Sequence, residues 1–147
     1  MKRIIVILVT LTAVSASFAT PIVYNASFEA PSVTAETWEP TLADQGGTGW
    51  DFFNGGFHAG VVPEFTFFAN WPAVEGSQMG TLWVPGDEIA QTIGGFTIGD
   101  TYTISWSERA RDSYTGGLWV LMDSTTIDAA HAVSDGSWVT KSVEFTA

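Results

Sequence analysis

The stretch Thr101-Tyr102-Thr103-Ile104-Ser105-Trp106-Ser107 alternates large apolar and small hydroxyl side chains without a break. Successive side chains of a β-strand point to opposite faces. This period of two therefore puts Tyr102, Ile104 and Trp106 on one face and the Thr and Ser residues on the other. The pattern predicts a strand with one face in a core and one face toward water. Shorter segments around it are bounded by turn formers. Residues 78–84 are stopped by Pro85-Gly86-Asp87, residues 88–93 by Gly94-Gly95, and Gly99-Asp100 turns the chain into the alternating strand. No apolar spacing of three and four is sustained anywhere, so no long helix is expected. Regularly spaced short strands with turns between them predict an all-β fold, an antiparallel β-sandwich.

The remaining segments are read in the same way. Residues 20–24 are expected to form a first strand, residues 31–47 are mostly loop, residues 49–53 form a short aromatic strand, and Asn54-Gly55-Gly56 forms a turn. Pro63 excludes a central strand in the apolar region that follows, because proline cannot donate to a ladder. The unbroken apolar run Leu118-Trp119-Val120-Leu121-Met122 reads as a buried central strand. Residues 123–126 turn, and residues 138–145 form the last strand. Its edge has nothing after Thr146-Ala147 to cover it, so either the sheet closes on an earlier strand or the sequence is a fragment. Seven Trp, ten Phe and 15 Gly fit short strands joined by tight turns and do not fit disorder.

The N-terminus carries the ordered features of an export signal. Lys2 and Arg3 precede an apolar run over residues 4–14, broken only by Thr10 and Thr12, and Ser17 and Ala19 supply the small −3/−1 residues that signal peptidase admits. The run is too short to span a bilayer, which takes about 20 apolar residues. Residues 1–19 are thus expected to be a signal peptide cleaved after Ala19, leaving residues 20–147 as one exported β-sandwich domain. The alternative is a buried N-terminal strand. No Cys follows the apolar run, so lipoprotein anchoring is excluded.

Without its leader the chain keeps only Arg109, Arg111 and Lys141 against 16 acidic residues, a net charge of −13. Such a surface repels phosphate backbones and anionic membranes, so neither nucleic acid nor membrane insertion of the mature chain is expected. The absence of Cys excludes disulfides, thiol catalysis and Cys-based zinc sites.

Asn25-Ala26-Ser27-Phe28-Glu29 resembles the N-G-S-F-E opening of galactose-binding-like jelly-roll domains. These include carbohydrate-binding modules of the family 4/9/22 type and DUF642-like exported proteins, as found among bacterial PEP-CTERM proteins. Three further features follow in order: Gly49-Trp50; Glu75-Gly76-Ser77-Gln78 with Ile89-Ala90-Gln91-Thr92-Ile93; and Gly99 through Tyr102-Thr103-Ile104-Ser105-Trp106 to Arg109-Ala110-Arg111. The resemblance implies a jelly roll and a carbohydrate ligand. It also implies a structural calcium near Glu29, held by its carboxylate, main-chain carbonyls and an Asp of the last strand, for which this sequence has no counterpart. The last strand and the C-terminal sorting segment usual in such proteins have no counterpart here either.

A pyranose presents an apolar C–H face that stacks on a flat ring, so Trp50, Trp71, Trp83, Trp119 and Trp138 are candidates for a sugar site. Trp106 belongs to the core face. Trp71, beside Pro72 with Asn70 and Glu75 nearby, is the expected exposed ring, and Phe65 to Phe68 could line a cleft. Arg109 and Arg111, two residues apart, share a face. They are expected to pair with Glu108, with Asp112 or with a carboxylate across the sheet; the alternative, carried by Arg111 among the candidate ligand residues, is a hydrogen bond to a sugar hydroxyl or acid. His58 and His131 are isolated, with no metal-ligand spacing, and no nucleophile elbow is present. With 16 acidic residues some carboxylate pair is always available, so abundance alone does not indicate a glycosidase. The resulting expectation is an exported non-catalytic module that binds a polysaccharide or other glycan through Trp71, Trp50, Trp83 and Arg111, secreted or at the cell surface. The alternative is a structural or adhesive surface protein with protein partners.

Overall fold

A computed structural model of the chain describes residues 10–13, 20–35, 37–38, 49–53, 59–67, 69–111, 116–122, 125–133 and 136–147, apart from the side chains of residues 10–13, Trp38 and Ala130. Most of the export signal, including Ser17 and Ala19, lies outside the described residues, as do the turns at residues 54–56 and 123–124, His58, Phe68 and Asp112.

Among the described residues ten strands follow in order: β1 (Thr10–Ala13), β2 (Thr37–Trp38), β3 (Asp51–Phe53), β4 (Ala59–Pro63), β5 (Gln78–Leu82), β6 (Glu88–Ala90), β7 (Thr101–Glu108), β8 (Gly116–Met122), β9 (Thr125–Val133) and β10 (Val139–Thr146). Every pairing is antiparallel. The sheets run β1-β7-β10, β2-β4-β5, β3-β6 and β8-β9. Among the described residues there is no helix. The chain is an all-β antiparallel sandwich.

The principal core draws Trp50, Phe52 of β3, Ala59 and Val61 of β4, Leu82 of β5, Trp106 of β7, Leu118 of β8 and Val133 of β9 around Phe28. Trp106 is 1% exposed. The apolar face of β7 is as its pattern predicts, with Tyr102 and Trp106 buried and Ile104 packed on the core, but the hydroxyl face does not all reach water, because Ser107 is buried against Thr140 (2.9 Å). A second cluster of Val62, Ala69, Trp71 and Met79, with Ala73 and Trp138 against it, covers the opposite face of β4 and β5. These two strands are therefore buried on both faces. Ala59, Val61 and Leu82 turn to one cluster, and Val62 and Met79 to the other.

Four strand expectations need correction. Residues 20–24 are not a strand. Tyr24 donates its main-chain N–H to Gln91 Oε1 (2.8 Å) and its carbonyl accepts from Gln91 Nε2 (2.9 Å), so a side chain stands where a neighbouring strand would be. Pro63 does not exclude a central strand. β4 lies between β2 and β5, and Pro63 is its last residue, at the point where the chain turns and a missing donor matters least. The run over residues 118–122 is not buried. β8 pairs only with β9 among the described residues, and Trp119 and Leu121 face outward. The strand predicted over residues 88–93 closes at Ala90. In addition, β9 was not foreseen, because Asp and Ala are poor strand formers. The last strand pairs with β7 along its whole length and forms the edge of that sheet, so among the described residues no strand covers its other side.

Gly80 shows how tightly β5 fits. A Cβ there would stand 2.7 Å from Phe28 Cζ and 3.1 Å from Ile89 Cδ1, and both neighbours are held in the principal core. Overpacking a filled core costs about 1–3 kcal/mol. Gly80→Ala should therefore lower the unfolding free energy by about that much in a urea titration monitored by Trp fluorescence. An unchanged midpoint would contradict the packing described.

Candidate functional site

The segment carrying the jelly-roll-like opening is a set of hydrogen-bonded latches. Asn25 and Phe28 adopt positive φ, 50° and 63°. Asn25 stabilises this turn by donating its side-chain amide to the Ala30 carbonyl (2.6 Å) and accepting the Ala30 N–H (3.0 Å). The turn drives Phe28 into the core, stacked on Trp50 with ring centroids 5.1 Å apart. Gln78, buried at the start of β5, donates to the carbonyls of Phe28 (2.6 Å) and Pro31 (3.1 Å), and its Oε1 accepts the Val33 N–H. Gln91 bonds both main-chain groups of Tyr24 and the Gly49 carbonyl (2.6 Å). Of the positions that resemble a family signature, Gln78 at the start of β5 and Gln91 just after β6 thus tie the opening segment to the sheets, while Asn25 holds the turn within it.

Glu29 belongs to the same system. Its Oε1 accepts the N–H groups of Ser77 and Gln78, both at 2.8 Å, and its Oε2 accepts the Ser77 hydroxyl at 3.0 Å. Gly76, at φ 70°, lets the carboxylate approach, since a Cβ there would lie 2.3 Å from Oε1. A calcium at Glu29 would compete with these three donors for the same two oxygens. Among the described residues no group of three His, Asp or Glu side chains is placed to hold a metal ion.

The Trp candidates divide sharply. Trp71, expected to be the exposed ring, is 5% exposed, a correction. The Arg109 guanidinium lies 4.2 Å from its ring centroid, and its indole packs with Val62 and Met79. Trp50 is also buried, its Nε1 donating to the Asn25 carbonyl (2.9 Å). Trp83 is half-buried where β5 ends, its N–H held by Asp87 Oδ2 (2.7 Å). Trp138 donates to the Pro72 carbonyl (2.9 Å). Arg111 donates to the Phe67 carbonyl (3.0 Å) and lies 4.7 Å from the Phe67 ring centroid. Arg109 and Arg111 thus both reach the segment that runs from β4 to β5, as their shared face predicts. Glu108, expected as an Arg partner, instead meets Trp106, His131 and Lys141.

Among the Trp side chains described, Trp119 alone is exposed, at 42%. It stands on the outer face of the β8–β9 pair with Leu121, which lies opposite Thr126. Gly117 and Ala132, directly opposite each other, leave the strip beside it low. β9 has one more residue than β8 between the Leu118–His131 and Val120–Asp128 pairs, and this irregularity falls opposite Trp119. Bulges of this kind re-aim the local side chain.

The inner side of the same pair is fixed to β7 by a buried polar cluster. Glu108, 2% exposed, accepts from Trp106 Nε1 (2.8 Å) and lies 2.7 Å from His131 Nε2 and 3.6 Å from Lys141 Nζ. His131 Nδ1 is 3.1 Å from both the Ala129 carbonyl and Asp128 Oδ2. Both ring nitrogens are engaged, so His131 works as a bridge between β9 and β7. No linear pattern signals this cluster, because Glu108 and His131 are brought together only by strand packing.

If Glu29 acts as a latch, chelation and substitution should separate. EDTA should leave the melting temperature unchanged, while Glu29→Ala, which orphans the Ser77 and Gln78 donors, should cost about 1–3 kcal/mol. A melting temperature that falls on adding EDTA and recovers with calcium would instead establish a calcium site.

With the geometry of the chain in view, comparison with known proteins adds no relative: no family model, no curated protein and no solved structure matches it.

Proposed function

We propose that the chain is an exported, non-catalytic binding module that holds a polysaccharide at the cell surface or in the extracellular space, and that the β8–β9 outer face is its binding surface. The observation that carries this reading is Trp119, an exposed indole on a face it shares with the exposed Leu121 and with the small side chains of Gly117 and Ala132. A flat ring beside the low strip of Gly117 and Ala132 accepts the C–H face of a sugar, and the Thr126 hydroxyl at the end of the face can bond a ring hydroxyl. With a net charge of −13 after leader removal, the chain repels anionic polysaccharides, so the ligand is a neutral glycan. The latches of Asn25, Gln78 and Gln91 support the galactose-binding-like jelly-roll reading, because the residues that carried the resemblance have defined structural work here. Export rests on the ordered features of residues 1–19. Among the described residues no helix is long and apolar enough to cross a membrane.

Two substitutions test the placement. Trp119→Ala should abolish retention on insoluble or soluble neutral polysaccharides in affinity electrophoresis, with the melting temperature nearly unchanged. Trp71→Ala should instead destabilise the fold by about 3–5 kcal/mol, the usual cost of truncating a buried Trp. Retention that survives Trp119→Ala, or binding to no glycan on a broad array, would overturn the proposal.

A further inference from the structure

β1 is the paired part of the predicted leader. Thr10–Ala13 lies within the apolar run that precedes the Ser17 and Ala19 site, yet it is hydrogen-bonded to β7 from Thr10 opposite Ser105 to Ala13 opposite Tyr102. The other side of β7 is covered by β10 from Thr101 to Glu108. β7 is therefore a central strand only while the leader is attached. The described side chains of the two core clusters all lie at Val23 or beyond, so they remain when β1 is lost, and its loss exposes the main-chain donors and acceptors of β7 that β1 had paired.

That edge is unguarded. Natural edge strands avoid pairing with other chains through charges, proline or bulges. Residues 101–107 contain no charged residue and no proline, and their register with β10 is continuous. We infer that removal of the leader turns β7 into an acceptor edge, and that its occupant is β7 of a second copy, paired antiparallel about a two-fold axis. This rests on the export reading. An antiparallel edge is self-complementary under such an axis. Ile104 opposite the partner's Ile104 sets Tyr102 opposite the partner's Trp106 and Thr103 opposite the partner's Ser105. Apolar then meets apolar and hydroxyl meets hydroxyl. A slip of one residue would set the core face of one copy against the hydroxyl face of the other, so the pattern of β7 rules out registers shifted by one. The two copies join their sheets as β10-β7-β7-β10. Both are strongly acidic, so added salt should tighten the dimer by screening their repulsion.

The test compares two forms of the full-length gene product by sedimentation over a wide range of concentration: the protein recovered after export, and the chain produced without export so that the leader stays on. Intact mass establishes whether the exported form has lost its leader. The processed form should sediment as a dimer and the leader-bearing form as a monomer. The chain has no cysteine. Under oxidation a processed Ile104→Cys variant should therefore cross-link rapidly, since directly opposed Cβ atoms stand about 4.5–5.5 Å apart. A processed Ile98→Cys control, at an exposed turn, should not cross-link, and neither should leader-bearing Ile104→Cys. A processed monomer, or a dimer that Ile104→Cys does not cross-link, overturns the pairing and leaves export standing. An exported form that keeps its leader overturns the cleavage expected after Ala19 and the trigger proposed here with it, and a chain that is not exported overturns the export reading.

Discussion

The buried amide of Gln78 is the contact on which the rest of the sandwich depends. It holds the carbonyls of Phe28 and Pro31 and accepts from Val33, while Glu29 in the same segment accepts from Ser77 and from the N–H of Gln78 itself. A segment without strand pairing must satisfy its main-chain polar groups some other way before it can be buried. Here two side chains do so, and that lets Phe28 enter the core at positive φ and stack on Trp50. Phe28 in turn fills the space above Gly80, so the latch, the ring and the glycine are one fit.

The double burial of β4 and β5 follows from this arrangement. One face receives Phe28 and its neighbours, and the other is closed by the segment carrying Trp71, which Arg109 covers at 4.2 Å. A large indole beside a proline reads as a loop-tip ring only if nothing stands beneath it. Here Val62 and Met79 stand beneath it, and burying such a ring is worth several times the cost of ordering it. Trp119 meets the opposite circumstance. Its strand pairs on one side only among the described residues, and the inner face is already occupied by Leu118 and Val120, so alternation sends the indole outward. Glu108 and His131 hold that face in place from within.

The elements legible in the sequence were those whose stabilisation is local. The Tyr102, Ile104, Trp106 alternation placed β7, the Pro85-Gly86-Asp87 turn stopped β5, and the spacing of Arg109 and Arg111 put them on one face. The misread elements were those governed by partners distant in the chain. Residues 20–24 look like a strand, but the main-chain groups of Tyr24 are satisfied by Gln91, 67 positions away. The apolar run of β8 looks buried but covers only one face. β9 carries unpromising Asp and Ala residues and is fixed by its pairing with β8 and its His131 bridge.

The sequence by itself determined an acidic, cysteine-free, all-β chain, because charge count, residue chemistry and a period of two are properties of the chain before it folds. Only the tertiary structure decided which Trp lie inside and which one faces water, that Glu29 bonds Ser77 and Gln78, and that Glu108 meets His131. The physical reason is the same in each case. Burial and hydrogen-bond partnership are relations between distant segments, and a linear pattern of residue types does not specify which segments will be adjacent.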